Sequence, residues 1–196
     1  IDIFNSPIPA INDPEFISSI NSILDYNQNI RIALGHVRKS TSGAFTIPNP
    51  HPFNFNYLNR TYSFAHNGTI DKAGLMGLLT NNNTDSSWIR LNAPDAYNCG
   101  NWETVGFDCV VDSELYFLWI MKNIIEIDDD LRGVINAIQI LESTEFEVDE
   151  FYGEQRNFVF SNGLELFAYK SADNISGEYR HKLFYKSYEN HFSVMS

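Results

Sequence analysis

The chain is predicted to fold as an α+β protein with antiparallel sheets. Segments with strand character lie toward both ends of the sequence, two strongly apolar helical segments lie between them, and no regular strand-helix-strand alternation appears. An Asn162-Gly163 pair between two apolar runs adds a hairpin signal. A length of 196 residues fits one domain. Hydrophobic residues at 43% and aromatics at 14% supply a core and exclude a disordered or fibrous chain.

Taken in order, Ile1-Asp2-Ile3-Phe4 reads as an interior strand edge. Asp13-Pro14 opens a helix, a capping residue followed by the one residue whose missing N–H costs nothing in the first turn. Phe16, Ile17, Ile20, Ile23 and Leu24 fall on one face at helical spacing. Residues 30–37 read as a strand with Ile32 and Leu34 on one side, and residues 62–65 as a second that ends in a His66-Asn67-Gly68 turn. A short helix is expected from Asp71 to Leu79.

Residues 80–111 are polar, rich in Asn and Asp, and without clear periodicity. That is long for a loop in a compact domain, so an insertion or a lid is expected there. Asp112 to Ile125 is apolar enough for a buried helix. Leu131, Val134, Ile135, Ile138 and Leu141 mark another, behind the run Asp128-Asp129-Asp130. That run reads as a solvated helix N-terminus favoured by the dipole rather than as a metal site. Residues 157–160 and 164–170 flank the Ser161-Asn162-Gly163 turn, and residues 183–185 and 192–194 complete the strands.

A formal net charge of -12 and a pI near 4.7 repel phosphate backbones and anionic membrane surfaces, so neither nucleic acid nor membrane is an expected partner. No apolar run approaches the ~20 residues a membrane span requires, and no basic-then-apolar leader opens the sequence. Cys99 and Cys109 sit close together in a polar stretch. In the cytosol they are expected as free thiols and in an exported chain as a short-loop disulfide, while no CxxC or HxxxH spacing supports zinc. Asn-x-Ser/Thr sequons at Asn59, Asn67, Asn82 and Asn174 are weak evidence for secretion in a chain so rich in asparagine. The compartment is open, with the cytoplasm slightly favoured; neither cofactor nor metal is expected.

Chemistry concentrates in a few segments. Arg38 alone is ordinarily a surface charge, but Thr41 and Ser42 add hydroxyl donors and Gly43 permits a tight turn. A guanidinium fork with hydroxyls beside it suits a carboxylate. Asn67-Gly68 is either a plain turn or an oxyanion hole built from the Asn67 amide and the Gly68 N–H. Each such donor is worth roughly 10²–10³ in rate. His66 reads as a buried histidine that orients a loop rather than as a general base, and His36 and His51 as makers of structural hydrogen bonds. Asp112 is either a helix-start acid or the partner of a substrate α-ammonium, two roles that compete for the same oxygens. Glu114 reads as a helix-start residue.

Together these segments resemble class-II glutamine amidotransferase domains of the N-terminal-nucleophile hydrolase superfamily. That family carries Gly-His-x-Arg-x-x-Thr-x-Gly, Asn-x-His-Pro-Phe, His-Asn-Gly-x-Ile and Asp-x-Glu segments in this order. Here they are Gly35 to Gly43, Asn49 to Phe53, His66 to Ile70 and Asp112 to Glu114. The late Phe160-Ser161-Asn162-Gly163-Leu164 hairpin is similar too, so the likeness runs from about Phe4 to Lys170. Asn49 to Phe53 and Phe4-Asn5-Ser6-Pro7 are most similar to the short, stand-alone branch of the family.

The resemblance implies an αββα sandwich of antiparallel sheets and hydrolysis of the side-chain amide of glutamine or a γ-glutamyl compound. It assigns Arg38, Thr41 and Ser42 to the substrate carboxylate, Asn67 and Gly68 to the oxyanion, and Asp112 to the ammonium. Ser42 stands where many members carry histidine. Family catalysis uses an N-terminal cysteine with its own α-amine as base. Residue 1 is isoleucine, so the expectation is a domain shortened at its N-terminus by several dozen residues and inactive as it stands. Neither Cys99 nor Cys109 replaces that nucleophile. A non-catalytic amino-acid binder and an N-terminal-nucleophile amidase for another amide are the alternatives.

Overall fold

A computed structural model describes residues 6, 8–24, 31–37, 51–96, 100–106, 109–144, 146, 155–171, 183–187 and 192–195. The strands are β1 (Phe53–Tyr57), β2 (Arg60–Asn67), β3 (Asn157–Ser161), β4 (Leu166–Tyr169), β5 (Phe184–Ser187) and β6 (Phe192–Met195). The helices are α1 (Pro14–Leu24), α2 (Lys72–Leu79), α3 (Ser87–Leu91), α4 (Trp102–Val105), α5 (Asp112–Ile127) and α6 (Asp130–Ser143). One sheet has the order β1-β2-β3-β4, and β5 and β6 pair separately and antiparallel. The class is α+β, as the sequence predicts. The chain divides into two compact units, Ile1–Ala65 with Val159–Phe167, and His66–Phe158 with Ala168–Ser196.

In the first unit Asp13 caps α1, its Oδ1 accepting the Glu15 and Phe16 amides at 3.0 and 3.3 Å. The Ser6 hydroxyl, with those amides, holds the Asp13 carboxyl below its ordinary range against the opposing effect of burial. An amphipathic stripe is ordinarily the buried one, yet Ile17, Ile20 and Ile23 are 47%, 41% and 44% exposed. Residues 31–37, expected as a strand, join no ladder among the described residues. Only the period of two survives: Ile32, Leu34 and His36 are half-buried between exposed neighbours.

The hairpin of β1 and β2 was not expected as such. Phe53 faces Phe64 and Phe55 faces Tyr62 on one side; Asn54 faces Ser63 and Asn56 faces Thr61 on the other. The polar pairs bond across the strands, Ser63 Oγ to Asn54 Oδ1 at 2.6 Å and Thr61 Oγ1 to Asn56 Oδ1 at 2.8 Å. Leu58 and Asn59 turn the chain at φ 47° and 61°, the sign pattern of a type I′ hairpin. On the apolar side Tyr62 stacks on Phe160 at 5.9 Å, and Phe160 meets Phe167 at 5.4 Å.

In the second unit α5 is the hub, with Leu115 through Met121 buried without a break. It ends where Asp128 turns left-handed at φ 56°, and the neighbouring Asp129 caps α6 by accepting the Arg132 amide at 2.8 Å. The acid run thus serves one helix end and the next helix start. On α6 the buried residues are Gly133, Val134, Ala137 and Leu141, whereas Leu131 and Ile135 are exposed. The expected stripe is rotated toward small residues because the two backbones meet: a Cβ on Gly133 would lie 2.5 Å from Ile124 Cα. That closeness lets Trp119 Nε1 donate to the Ala137 carbonyl at 3.1 Å and Asn136 Nδ2 to Asn123 Oδ1 at 2.7 Å.

Asp71 caps α2 through the Ala73 and Gly74 amides, both at 2.9 Å. The stretch 80–111 contains α3 and α4, two short helices that its polar composition conceals. Cys109 is disulfide-bonded, so the free thiols expected of a cytosolic chain are not what is found; Cys99 lies outside the described residues. Among the described residues no helix is long and apolar enough to cross a membrane.

Candidate active site

The site grows from three stretches of the second unit. The end of β2 supplies His66 and Asn67, and Gly68 continues the corner toward Ile70 and the start of α2. Asp112 stands in the first turn of α5, with Val111 rather than Asp112 at the cap position. The Asp112 Oδ2 accepts the Ile70 amide at 3.0 Å, and Ser113 Oγ lies 2.9 Å from His66 Nδ1. Consecutive residues of α5 therefore hold positions 70 and 66, on either side of Asn67 and Gly68. Since Gly68 and Ile70 are two residues apart, their Cα atoms lie within about 7 Å of each other.

Gln155 provides the third stretch. Its amide donates to the Thr69 carbonyl at 3.0 Å, and its carbonyl lies 2.8 Å from His66 Nε2. A carbonyl only accepts, so His66 carries its proton on Nε2, and Nδ1 of the neutral ring accepts from the Ser113 hydroxyl. Gly68 presses on the same peptide. A Cβ there would fall 2.0 Å from the Gln155 oxygen and 2.6 Å from its carbon. Close approach, not a left-handed backbone, is what demands glycine at this corner.

His66 is 2% exposed, with the Tyr116 ring edge-on at 5.4 Å and Phe158 beyond it. Burial holds its imidazole below the ordinary value of 6.5, although the Asp112 carboxylate and the Gln155 carbonyl both favour the charged form. Both ring nitrogens face protein groups. The ring is a strut between α5 and Gln155, consistent with a loop-orienting histidine.

Arg38, Thr41 and Ser42, expected around the substrate carboxylate, lie outside the described residues, as do Gly43 and Asn49. In the first unit the His36 and His51 rings stack at 4.4 Å and His51 meets Phe53 edge-on at 4.7 Å. Ring packing, rather than the hydrogen bonds expected of them, is what the described contacts show for this pair. Glu114 Oε1 accepts the Asp95 amide at 3.0 Å, tying the polar stretch to the start of α5. An open cavity of about 390 Å³ lies in that stretch, lined by Arg90, Pro94, Asp95, Asn101, Trp102 and Glu103 among others. Its lining includes none of Asn67, Gly68 and Asp112, so the site is defined by the bonds above and not by this cavity.

Sequence reading passed over Ser113 and Gln155. Ser113 sat in plain view inside Asp112-Ser113-Glu114, while Gln155 acts through its backbone, which no side-chain pattern announces.

A family model described as glutamine amidotransferases class-II matches residues 8–188. The chain belongs to the class-II glutamine amidotransferases. This amidotransferase chain is 29% identical over 141 residues to "Uncharacterized protein MJ1515" of Methanocaldococcus jannaschii, a match covering 71% of the chain and 31% of the relative. It is 26% identical over 121 residues to "Putative glutamine amidotransferase YafJ" of Escherichia coli strain K12, covering 62% of the chain and 36% of that protein. The chain thus aligns with about a third of the length of these curated relatives. No solved structure matches it. Membership agrees with the α+β, N-terminal-nucleophile hydrolase-like class expected from the sequence.

Proposed function

We infer that the protein hydrolyses the side-chain amide of glutamine or a γ-glutamyl compound. The nucleophile is the N-terminal cysteine of the whole protein, its α-amine taking the thiol proton. The thiolate attacks the amide carbonyl, the proton passes to the departing ammonia, and water then splits the thioester to release glutamate. The Asn67 amide and Gly68 N–H stabilise the oxyanion of both tetrahedral steps. Arg38, Thr41 and Ser42 hold the α-carboxylate, and Asp112 holds the α-ammonium.

The observation supporting this reading is the Asp112–Ile70 bond at 3.0 Å, which ties the proposed ammonium ligand to the proposed oxyanion corner. That bond occupies Oδ2; the ammonium is assigned to Oδ1, which the Ser113 hydroxyl approaches only at 3.5 Å. The test is glutamate release by the full-length protein carrying a free N-terminal cysteine. Asp112→Asn keeps an acceptor for Ile70 but loses the charge. Charged hydrogen bonds are worth about 1.5–3 kcal/mol, so KM for glutamine should rise roughly 10- to 100-fold. Absence of turnover on glutamine and on γ-glutamyl amides would end this reading, and turnover of an unrelated amide alone would replace it with another amidase.

A further inference from the structure

We propose that His66 and Ser113, neither of them a substrate contact, are positioning residues that fix the oxyanion corner; this rests on the amide-hydrolysis reading above. The corner Asn67-Gly68-Thr69 is held at both ends by one helix start. Asp112 takes the Ile70 amide at 3.0 Å, and Ser113 donates to His66 Nδ1 at 2.9 Å. It is also backed from behind. The Gln155 peptide bonds Thr69 at 3.0 Å through its amide and His66 at 2.8 Å through its carbonyl. Gly68 packs against that same carbonyl, so any shift of Gln155 is transmitted to residue 68.

His66 therefore sits where two supports meet, one to α5 and one to the backing peptide. With His66 2% exposed and Ser113 4% exposed, water does not substitute for either bond without repacking. Loss of the pair removes two of the bonds that hold the corner and leaves those through Ile70 and Thr69. The oxyanion donors act only in the transition state, so their loosening lowers kcat and leaves ground-state binding nearly unchanged. Misplacement by about 1 Å costs on the order of 10² in rate.

The experiment compares the full-length protein with Ser113→Ala, His66→Ala and His66→Gln. Glutamine hydrolysis is expressed per reactive cysteine, counted by stoichiometric alkylation with an electrophilic glutamine analogue. Ser113→Ala, a small truncation that leaves the fold intact, is expected to lower kcat roughly 10-fold with KM within about twofold. His66→Ala should lose about 100-fold. His66→Gln should recover much of that, because its distal amide N–H can reach the Gln155 carbonyl and stays neutral. A purely structural role would instead lower Tm and the number of reactive cysteines while kcat per cysteine held steady, and that result overturns the proposal. If the wild type itself releases no glutamate, the underlying reading falls and this inference with it. Active wild type with undiminished Ser113→Ala and His66→Ala sinks the positioning role alone.

Discussion

Replacing Gly68 by alanine adds one methyl group where the structure has no room for it. The new carbon would meet the Gln155 oxygen at 2.0 Å and its carbonyl carbon at 2.6 Å. Ordinary contact begins near 3.4 Å, so one backbone must retreat by about 1.4 Å. Neither is free to do so. Gln155 is bonded to Thr69 and His66 at 3.0 and 2.8 Å, and the far end of the corner is bonded to Asp112. Overpacking costs about 1–3 kcal/mol, and breaking two hydrogen bonds adds roughly 1 kcal/mol each. Against this, alanine restricts the unfolded chain and returns about 0.4–1 kcal/mol. The net expectation is a loss of about 2–4 kcal/mol.

For a domain of this size each kcal/mol lowers Tm by about 2–4 °C, so the transition should move down by roughly 5–15 °C. Circular dichroism or calorimetry reads that shift. Glutamine hydrolysis, measured below the transition, should fall about 10²-fold or more if Asn67 and Gly68 are the oxyanion donors proposed above, because both would be displaced. An alanine variant with wild-type Tm and wild-type kcat would refute the claim that Gln155 backs this corner.

Two further predictions test the second unit. Alanine is the better helix former by about 1 kcal/mol, yet Gly133→Ala should destabilise, since its Cβ would lie 2.5 Å from Ile124 Cα. Gly77→Ala in α2 should stabilise by roughly 0.5–1 kcal/mol, because it meets only the end of the exposed Asn82 side chain at 3.1 Å; urea midpoints moving in the same direction for both would contradict this contrast. His66 predicts a pH dependence. Its folded value lies below the unfolded 6.5, so below that pH the unfolded chain binds a proton the native state refuses. Its penalty is absent above 6.5 and grows as pH falls toward the lowered folded value, by up to about 1.4 kcal/mol per pH unit. His66→Gln should therefore lose less stability than wild type between about pH 7 and pH 5; parallel curves would show that the ring is not held neutral.

Local chemistry was well written in the sequence. Asp13, Asp71 and Asp112 each announced a helix start, and each stands at or beside one. Pairing partners were not. The Phe53-x-Phe55-x-Tyr57 alternation was visible, but a turn through Leu58 and Asn59 lacks the glycine that usually signals a hairpin. The buried face of α6 departs from the apolar stripe because room, not apolar size, decides it: Gly133 and Ala137 face α5, while the larger Leu131 and Ile135 are exposed. At the site, the motif His66-Asn67-Gly68 was legible as letters. Its supports come from 42, 47 and 89 residues away, and no local pattern carries such separations.

The backing of Gly68 by a residue so late in the chain bears on how this corner comes into being. During synthesis residues 66–70 and the first turn of α5 are made well before Gln155 emerges, so the wall behind Gly68 stays unfinished until the last third of the domain arrives. Grafting His-Asn-Gly onto another strand would carry over the spelling without that wall. For the same reason, a shortened chain that stops ahead of Gln155 would keep Asn67 and Gly68, the proposed oxyanion donors, and lack the peptide that backs them.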